Sequence, residues 1–139
     1  MHRNLLSTIV IDAPSDVHDQ TAAFWTAALG ATLRTTRMPN YRILEDASPP
    51  NRIVVQDVGS GPAGVHLDIH TDDLEAEVER LEKCGATVVD RSWADHPGTW
   101  IIMRDPAGTE FCVVAALTEV RRADHAEFER RARPVGRGE

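Results

Sequence analysis

His66 and Cys112 are the two side chains of this sequence best equipped to do chemistry. An imidazole can act as a general base or as a hydrogen-bonding anchor for a ligand, and a thiolate can attack an electrophile. Each also has a plain structural reading. A strand histidine can be satisfied by a neighbouring backbone carbonyl, and a buried thiol behaves as a small apolar residue. His66, Asp68 and His70 alternate along Val65–His70, so they share one face of a strand. Asp68 is therefore either a pocket neighbour of His66 or the partner of an arginine. Glu110 stands two residues before Cys112 and faces the same way, as a candidate acid or as a solvated residue beside a turn. Trp93 and Trp100 bracket a short loop. Such a loop beside a cleft can serve as a lid, with a tryptophan stacking on a flat ligand. Within it His96 is either a second imidazole or an ordinary surface histidine. Tyr41, Arg42 and Arg52 fall on expected strands, where either arginine could anchor an anion or point to water.

The elements that must position these residues occur twice. Leu29-Gly30-Ala31-Thr32-Leu33 returns as Cys84-Gly85-Ala86-Thr87-Val88, 55 residues later. In the first half, Leu5–Asp12 reads as a strand and Asp16 as the cap of a helix running to Leu29, with Ala22, Trp25 and Leu29 on its buried face and Gly30 as its stop. Strands follow at Ala31–Thr36, Tyr41–Glu45 and Arg52–Val58. Gly59–Gly64 is a connector. In the second half Val65–His70 is a strand. Asp72 and Glu75 suggest a capping box for a helix with Leu74, Val78 and Leu81 inward. Strands follow at Ala86–Asp90, Thr99–Arg104 and Glu110–Ala115. Each half is thus a strand, a helix and three strands. Residues 1–116 form the repeat, with modules at 1–58 and 65–116. Residues 117–139 are a charged helix, Leu117–Arg133, and a frayed end. Aligning Asp12 with His70 makes the first strand-to-helix loop about three residues longer and pairs Thr8 with His66. The last strands pair Gln56 with Cys112. These four are the candidates for a shared surface.

Composition bounds the function. The chain has 139 residues and a net charge of −7, which argues against binding the phosphate backbone of DNA or RNA. Its longest apolar stretch is strand-sized, so no membrane span is expected. Met1–Asn4 lacks the apolar region of a signal peptide, and two cysteines without an export signal are expected as reduced thiols in the cytoplasm. No phosphate-binding loop, dinucleotide fingerprint, serine nucleophile elbow or paired-cysteine zinc pattern is present.

Several of these residues together resemble the vicinal oxygen chelate superfamily, the group that contains glyoxalase I. They are Phe24-Trp25 and Leu29-Gly30, Val65-His66-Leu67-Asp68, Asp73-Leu74, Leu81 through Ala86, and Asp105-Pro106-Ala107-Gly108-Thr109-Glu110-Phe111. The Asp-Pro-x-Gly turn after a strand containing Trp100 is the most specific piece, and the motifs are closest to the glyoxalase-like domain branch. The resemblance implies an α+β fold: two βαβββ modules whose curled mixed sheets surround a shared cleft, here with an added C-terminal helix. It also implies a divalent metal in that cleft, with ligands from the first and last strands of each module, and self-association as a homodimer. The four ligand positions fall on Thr8, Gln56, His66 and Cys112. Only His66 is a standard ligand, and no carboxylate is among them, although a slip at Gln56 would bring in Asp57. The expectation is therefore a small-molecule-binding protein without the usual four-ligand metal site. A metal, if bound, would be zinc, iron or manganese on His66, Gln56 and Cys112. The alternatives are a metal-dependent lyase, isomerase or dioxygenase, and an antibiotic-sequestering resistance protein that does no chemistry.

Overall fold

The structure, a computed structural model, describes residues 1–95 and 99–136. Its elements are β1 (His2–Ala13), α1 (His18–Leu29), β2 (Thr32–Thr35), β3 (Tyr41–Ser48), β4 (Asn51–Asp57), β5 (Gly64–Thr71), α2 (Leu74–Lys83), β6 (Thr87–Asp90), β7 (Trp100–Arg104), β8 (Glu110–Ala115), α3 (His125–Arg131) and β9 (Arg133–Val135). The fold is α+β, and the strand, helix and three-strand order is there twice. Strand order is β2-β3-β4-β1-β5-β8-β7-β6, with β9 on β1. No helix among the described residues is long and apolar enough to cross a membrane. The chain divides into two compact units, Ser7–Leu67 and Met1–Leu6 with Asp68–Glu139.

In Ser7–Leu67, β1 and β4 are parallel, with Thr8 opposite Arg52 and Asp12 opposite Gln56. β3 is antiparallel to β4 and places Tyr41 opposite Gln56. Alternation divides the side chains between two faces. Ala13, Ile53, Val55 and Leu44 pack with Ala22 of α1, and Ile9, Ile11 and Trp25 complete that core. Thr8, Asp12, Arg52, Gln56 and Tyr41 therefore project from the other face. The helix enters through a 3₁₀ turn, Ser15–Val17, that contains Asp16. Asp16 is thus not the expected cap, and the capping position, Val17, makes no side-chain bond. Gly30 stops the helix in a left-handed conformation, φ 61°, which a residue without Cβ adopts freely. Leu29, expected inward, is exposed.

In the other unit, β5 and β8 are parallel and place Asp68 opposite Cys112. Val78 of α2 packs on Ile101, Met103 and Val113. The cap of α2 is Asp73, not Asp72: its carboxylate accepts the Ala76 N–H at 3.1 Å from an extended backbone, the geometry a cap needs. Asp72 instead accepts the backbone N–H and Nε–H of Arg3, at 2.8 and 2.9 Å. Glu77 is fully buried, and accepts from His2 Nε2 at 2.8 Å, Asn4 Nδ2 at 2.6 Å and Arg80 Nε at 2.7 Å. The N-terminal strand is thereby tied to α2.

The tail also differs from expectation. In place of one helix over Leu117–Arg133 there is a 3₁₀ segment, Glu119–Asp124, then α3, then β9. The expected apolar stripe is the reason: Phe128 is buried, but Leu117 and Val120 are exposed, so nothing holds a longer helix to the core. Arg133 precedes Pro134, and a residue in that position is pushed to extended backbone. β9 pairs with the start of β1, His2 opposite Val135 and Asn4 opposite Arg133. That pairing is why β1 begins at His2 rather than Leu5 and why the chain is not frayed at 134–135.

Candidate functional site

The polar face of Ser7–Leu67 is organised around one pair. Asp12 ends the outward alternation of β1, and its Oδ2 accepts from Nδ1 of His66 at 2.8 Å. The two side chains are 19% and 17% exposed, enough for a ligand to reach and too little for free solvation. A carboxylate only accepts, so a neutral His66 carries its proton on Nδ1 and the lone pair on Nε2. Asp12 Oδ1 is buried and has no hydrogen-bond partner among the described residues. Leaving a buried polar atom unmatched costs about 1–3 kcal/mol, so a ligand donor placed there would be strongly favoured. Gln56 stands opposite Asp12, and its Nε2 donates to the Tyr41 hydroxyl at 3.4 Å. Asp57, the carboxylate that a slip would have supplied, points to the other face. It accepts from Ser15 Oγ at 2.5 Å and from the Gly59 N–H at 2.8 Å, and those bonds hold its carboxyl below the ordinary range.

Thr8 stands apart from the Asp12–His66 pair. It lies opposite Arg52, four residues before Asp12, or about 13 Å along a strand. Its hydroxyl donates to Ser7 Oγ at 3.3 Å. Within each half the parallel strands pair at one offset, Asp12 with Gln56 and Asp68 with Cys112. The helices start 56 residues apart, at His18 and Leu74. Residues 14–17 join strand to helix in the first half and residues 72–73 in the second, so the first loop is longer by two residues rather than about three. Asp12 was not among the expected site residues, although Ile9-Val10-Ile11-Asp12 and Val65-His66-Leu67-Asp68 share an apolar run ending in aspartate at a spacing of 56.

The face shared by Asp68 and Cys112 has its own neighbours. Cys112 is a partly buried free thiol. Glu110 opposes Arg104 at the end of β8 and pairs with it at 3.2 Å, both half-exposed, so its carboxylate sits at the rim. Trp93 and Trp100 stack on each other, 4.8 Å between centroids and 15° between planes, so each covers one face of the other. His96 lies outside the described residues.

His66 and Asp68 are alternate residues of β5, Cys112 is the register partner of Asp68, and one ligand atom of each lies within 4.8 Å of the others. Asp68 provides the carboxylate that the expected set of ligands lacked. An imidazole, a carboxylate and a thiolate suit zinc or iron better than manganese. Asp12 behind His66 matches the carboxylate that orients a ligating imidazole.

The family model described as glyoxalase-like domain matches residues 8–114. No curated protein sequence matches the chain significantly. Among solved structures, it is similar to methylmalonyl-CoA epimerase from Mycobacterium tuberculosis, at 17% identity over 84% of this chain and 91% of that one, TM-score 0.57. It is similar to the Mn(II)-bound glyoxalase from Novosphingobium aromaticivorans, at 13% identity over 85% of this chain and 41% of that one, TM-score 0.54. It also resembles 2,2',3-trihydroxybiphenyl 1,2-dioxygenase from Sphingomonas wittichii, at 18% identity over 81% of this chain and 40% of that one, TM-score 0.50. At these identities the likeness is one of fold.

Proposed function

This chain belongs to the glyoxalase-like domain family of the vicinal oxygen chelate superfamily, and on that footing we propose that it binds a small molecule at the Asp12–His66 pair. The observation that carries the proposal is the 2.8 Å carboxylate–imidazole bond together with the unmatched buried oxygen of Asp12. The ligand donates an O–H or N–H to Asp12 Oδ1. Asp12 Oδ2 at the same time holds the His66 ring beside the bound molecule. Gln56 and Tyr41 add a neutral amide and a phenol to the same sheet face, which suits a polar, oxygen-rich ligand.

Thermal-shift screening of chelator-treated protein tests this, with 2-hydroxy acids, 1,2-diols and catechols as probes. At least one class should stabilise the wild type and lose its effect in Asp12→Asn and His66→Ala. Absence of any shift, or a shift that both variants keep, would overturn the proposal.

One observation favours a second reading, a metal-dependent lyase, isomerase or dioxygenase. His66, Asp68 and Cys112 would hold the ion. A bound zinc or iron ion would supply Lewis-acid chemistry to two adjacent substrate oxygens. Elemental analysis of protein purified without chelators separates the readings. Stoichiometric metal that disappears in His66→Ala and Cys112→Ser supports the second. Metal-free protein that still binds the probe supports the first.

A further inference from the structure

Residues 117–135 lie outside the repeat, and their elements are too short to stand alone. α3 has seven residues and β9 three. A two-turn helix and a three-residue strand keep their shape in water only when docked. The docking is concentrated on one residue of β1. Arg3 Nη1 and Nη2 donate to the two carboxylate oxygens of Glu129, at 2.7 and 3.3 Å. The same guanidinium lies 5.3 Å from the centroid of the Phe128 ring, which is 2% exposed. Its Nε–H and its backbone N–H go to Asp72, just before α2, and its carbonyl accepts from Thr71 Oγ1 at 2.9 Å. One residue thus joins α3 to the start of α2. Before Phe128 the segment bonds locally. Leu117 and Val120 are exposed, and the Thr118 carbonyl accepts from His125 Nε2 at 2.8 Å.

Successive residues of a strand aim their backbone groups at opposite edges. Those of Arg3 go to Thr71 and Asp72. Those of His2 and Asn4 therefore face the other edge, where β9 runs antiparallel with Val135 and Arg133 opposite them. β4 begins its own pairing with β1 at Thr8. β9 covers a stretch of edge that would otherwise stand open, and open edges invite foreign strands. We infer that residues 117–135 are a strap that opens as one unit, that Arg3 is its latch, and that opening uncovers the edge of β1 at His2–Asn4. α3 and β9 leave together because each persists only while Phe128 and Glu129 sit on Arg3. The rest of that unit stays closed because its own ties use no residue of the strap. Those ties are Glu77 with His2, Asn4 and Arg80, and the packing of Val78 on Ile101, Met103 and Val113. A planar guanidinium, with its fork of donors, can serve two carboxylates and a ring face at once.

Amide hydrogen exchange of the full chain, followed residue by residue by NMR, tests the inference. In the wild type the amides of Ala132, Arg133 and Val135 should exchange together, and faster than those of Ile101, Met103 and Val113. Arg3→Met keeps the side-chain stem and the backbone bond to Asp72. It should speed the strap amides by about tenfold or more relative to the core amides, the size expected when charged hydrogen bonds are lost. Glu129→Ala cuts the latch from the strap's side and should act in the same direction. Alanine favours a helix more than glutamate does, so faster exchange there reports lost docking and not lost helix propensity. Strap amides that exchange in step with the core in the wild type, strap rates that neither variant changes, or core amides accelerated as much as the strap would each overturn it.

Discussion

The two copies of the repeat share one backbone plan and are held to it by different chemistry. In the second copy α2 buries a carboxylate, Glu77, that receives His2, Asn4 and Arg80. At the matching position of α1 stands Thr21, which makes only a local bond to the Val17 carbonyl at 2.7 Å. The buried polar group of α1 is His18, and its Nε2 donates to the Val55 carbonyl at 3.2 Å. The second copy is thus cross-linked by charge to the N-terminal strand, whereas α1 in the first is held by apolar packing and by the His18-to-backbone bond. The duplicated order therefore carries no information about how each copy is secured. It left one helix with no exposed charge after Asp19 and the other ionic inside and out.

That asymmetry can be broken from the Glu77 side first. Glu77→Ala removes the fully buried acceptor shared by His2, Asn4 and Arg80 and should cost about 3–5 kcal/mol. Thr21→Ala at the matching position should cost under about 1 kcal/mol. Urea denaturation of both variants measures the difference, and equal costs would erase the distinction between the copies.

Acid sharpens the same contrast. Burial pushes the Glu77 carboxyl up, but the bonds from Arg80, His2 and Asn4 outweigh it and leave it below its ordinary value of 4.5. Burial likewise raises Asp72, and its bonds from Arg3 bring it below 3.8. Groups depressed in the folded state stabilise it fully above their ordinary values. They lose that contribution as pH falls through the folded values. Stability should therefore fall on acidification below about pH 4.5 in the wild type, and the fall should be shallower in Glu77→Gln. Denaturant titrations across pH 2 to 6, a range of about two units either side of the carboxylate values, would show it, and identical profiles would refute the assignment. The smallest effect expected is at the helix starts. Asp73→Ala removes a real cap and should cost about 1 kcal/mol. Asp16→Ala should leave thermal melting nearly unchanged, because Asp16 caps nothing.

Much of the fold was legible because its signals are local. Gly30 and Gly85 end helices by backbone conformation, and the apolar periods of Leu74, Val78 and Leu81 and of Ile9 and Ile11 name their own faces. The caps were less legible. Asp72 and Asp73 are adjacent and chemically identical, and Arg3, far away in sequence, claimed the first of them. The tail was misread because β9 exists only through its pairing with His2–Asn4. The site was half legible. His66, Asp68 and Cys112 were visible by type, alternation and motif, but Asp12 was not.

The sequence by itself determined the twofold strand, helix and three-strand order, the inward and outward faces of each strand, and the family. It did so because alternation and helical period are written residue by residue. Only the tertiary structure decided which residue of β1 stands opposite which residue of β4. A two-residue slip between parallel strands keeps every side chain on its own face, so no pattern of polarity distinguishes one register from the other. The parallel ladder set Asp12 opposite Gln56, and it is the Asp12 carboxylate, rather than Thr8, that meets His66.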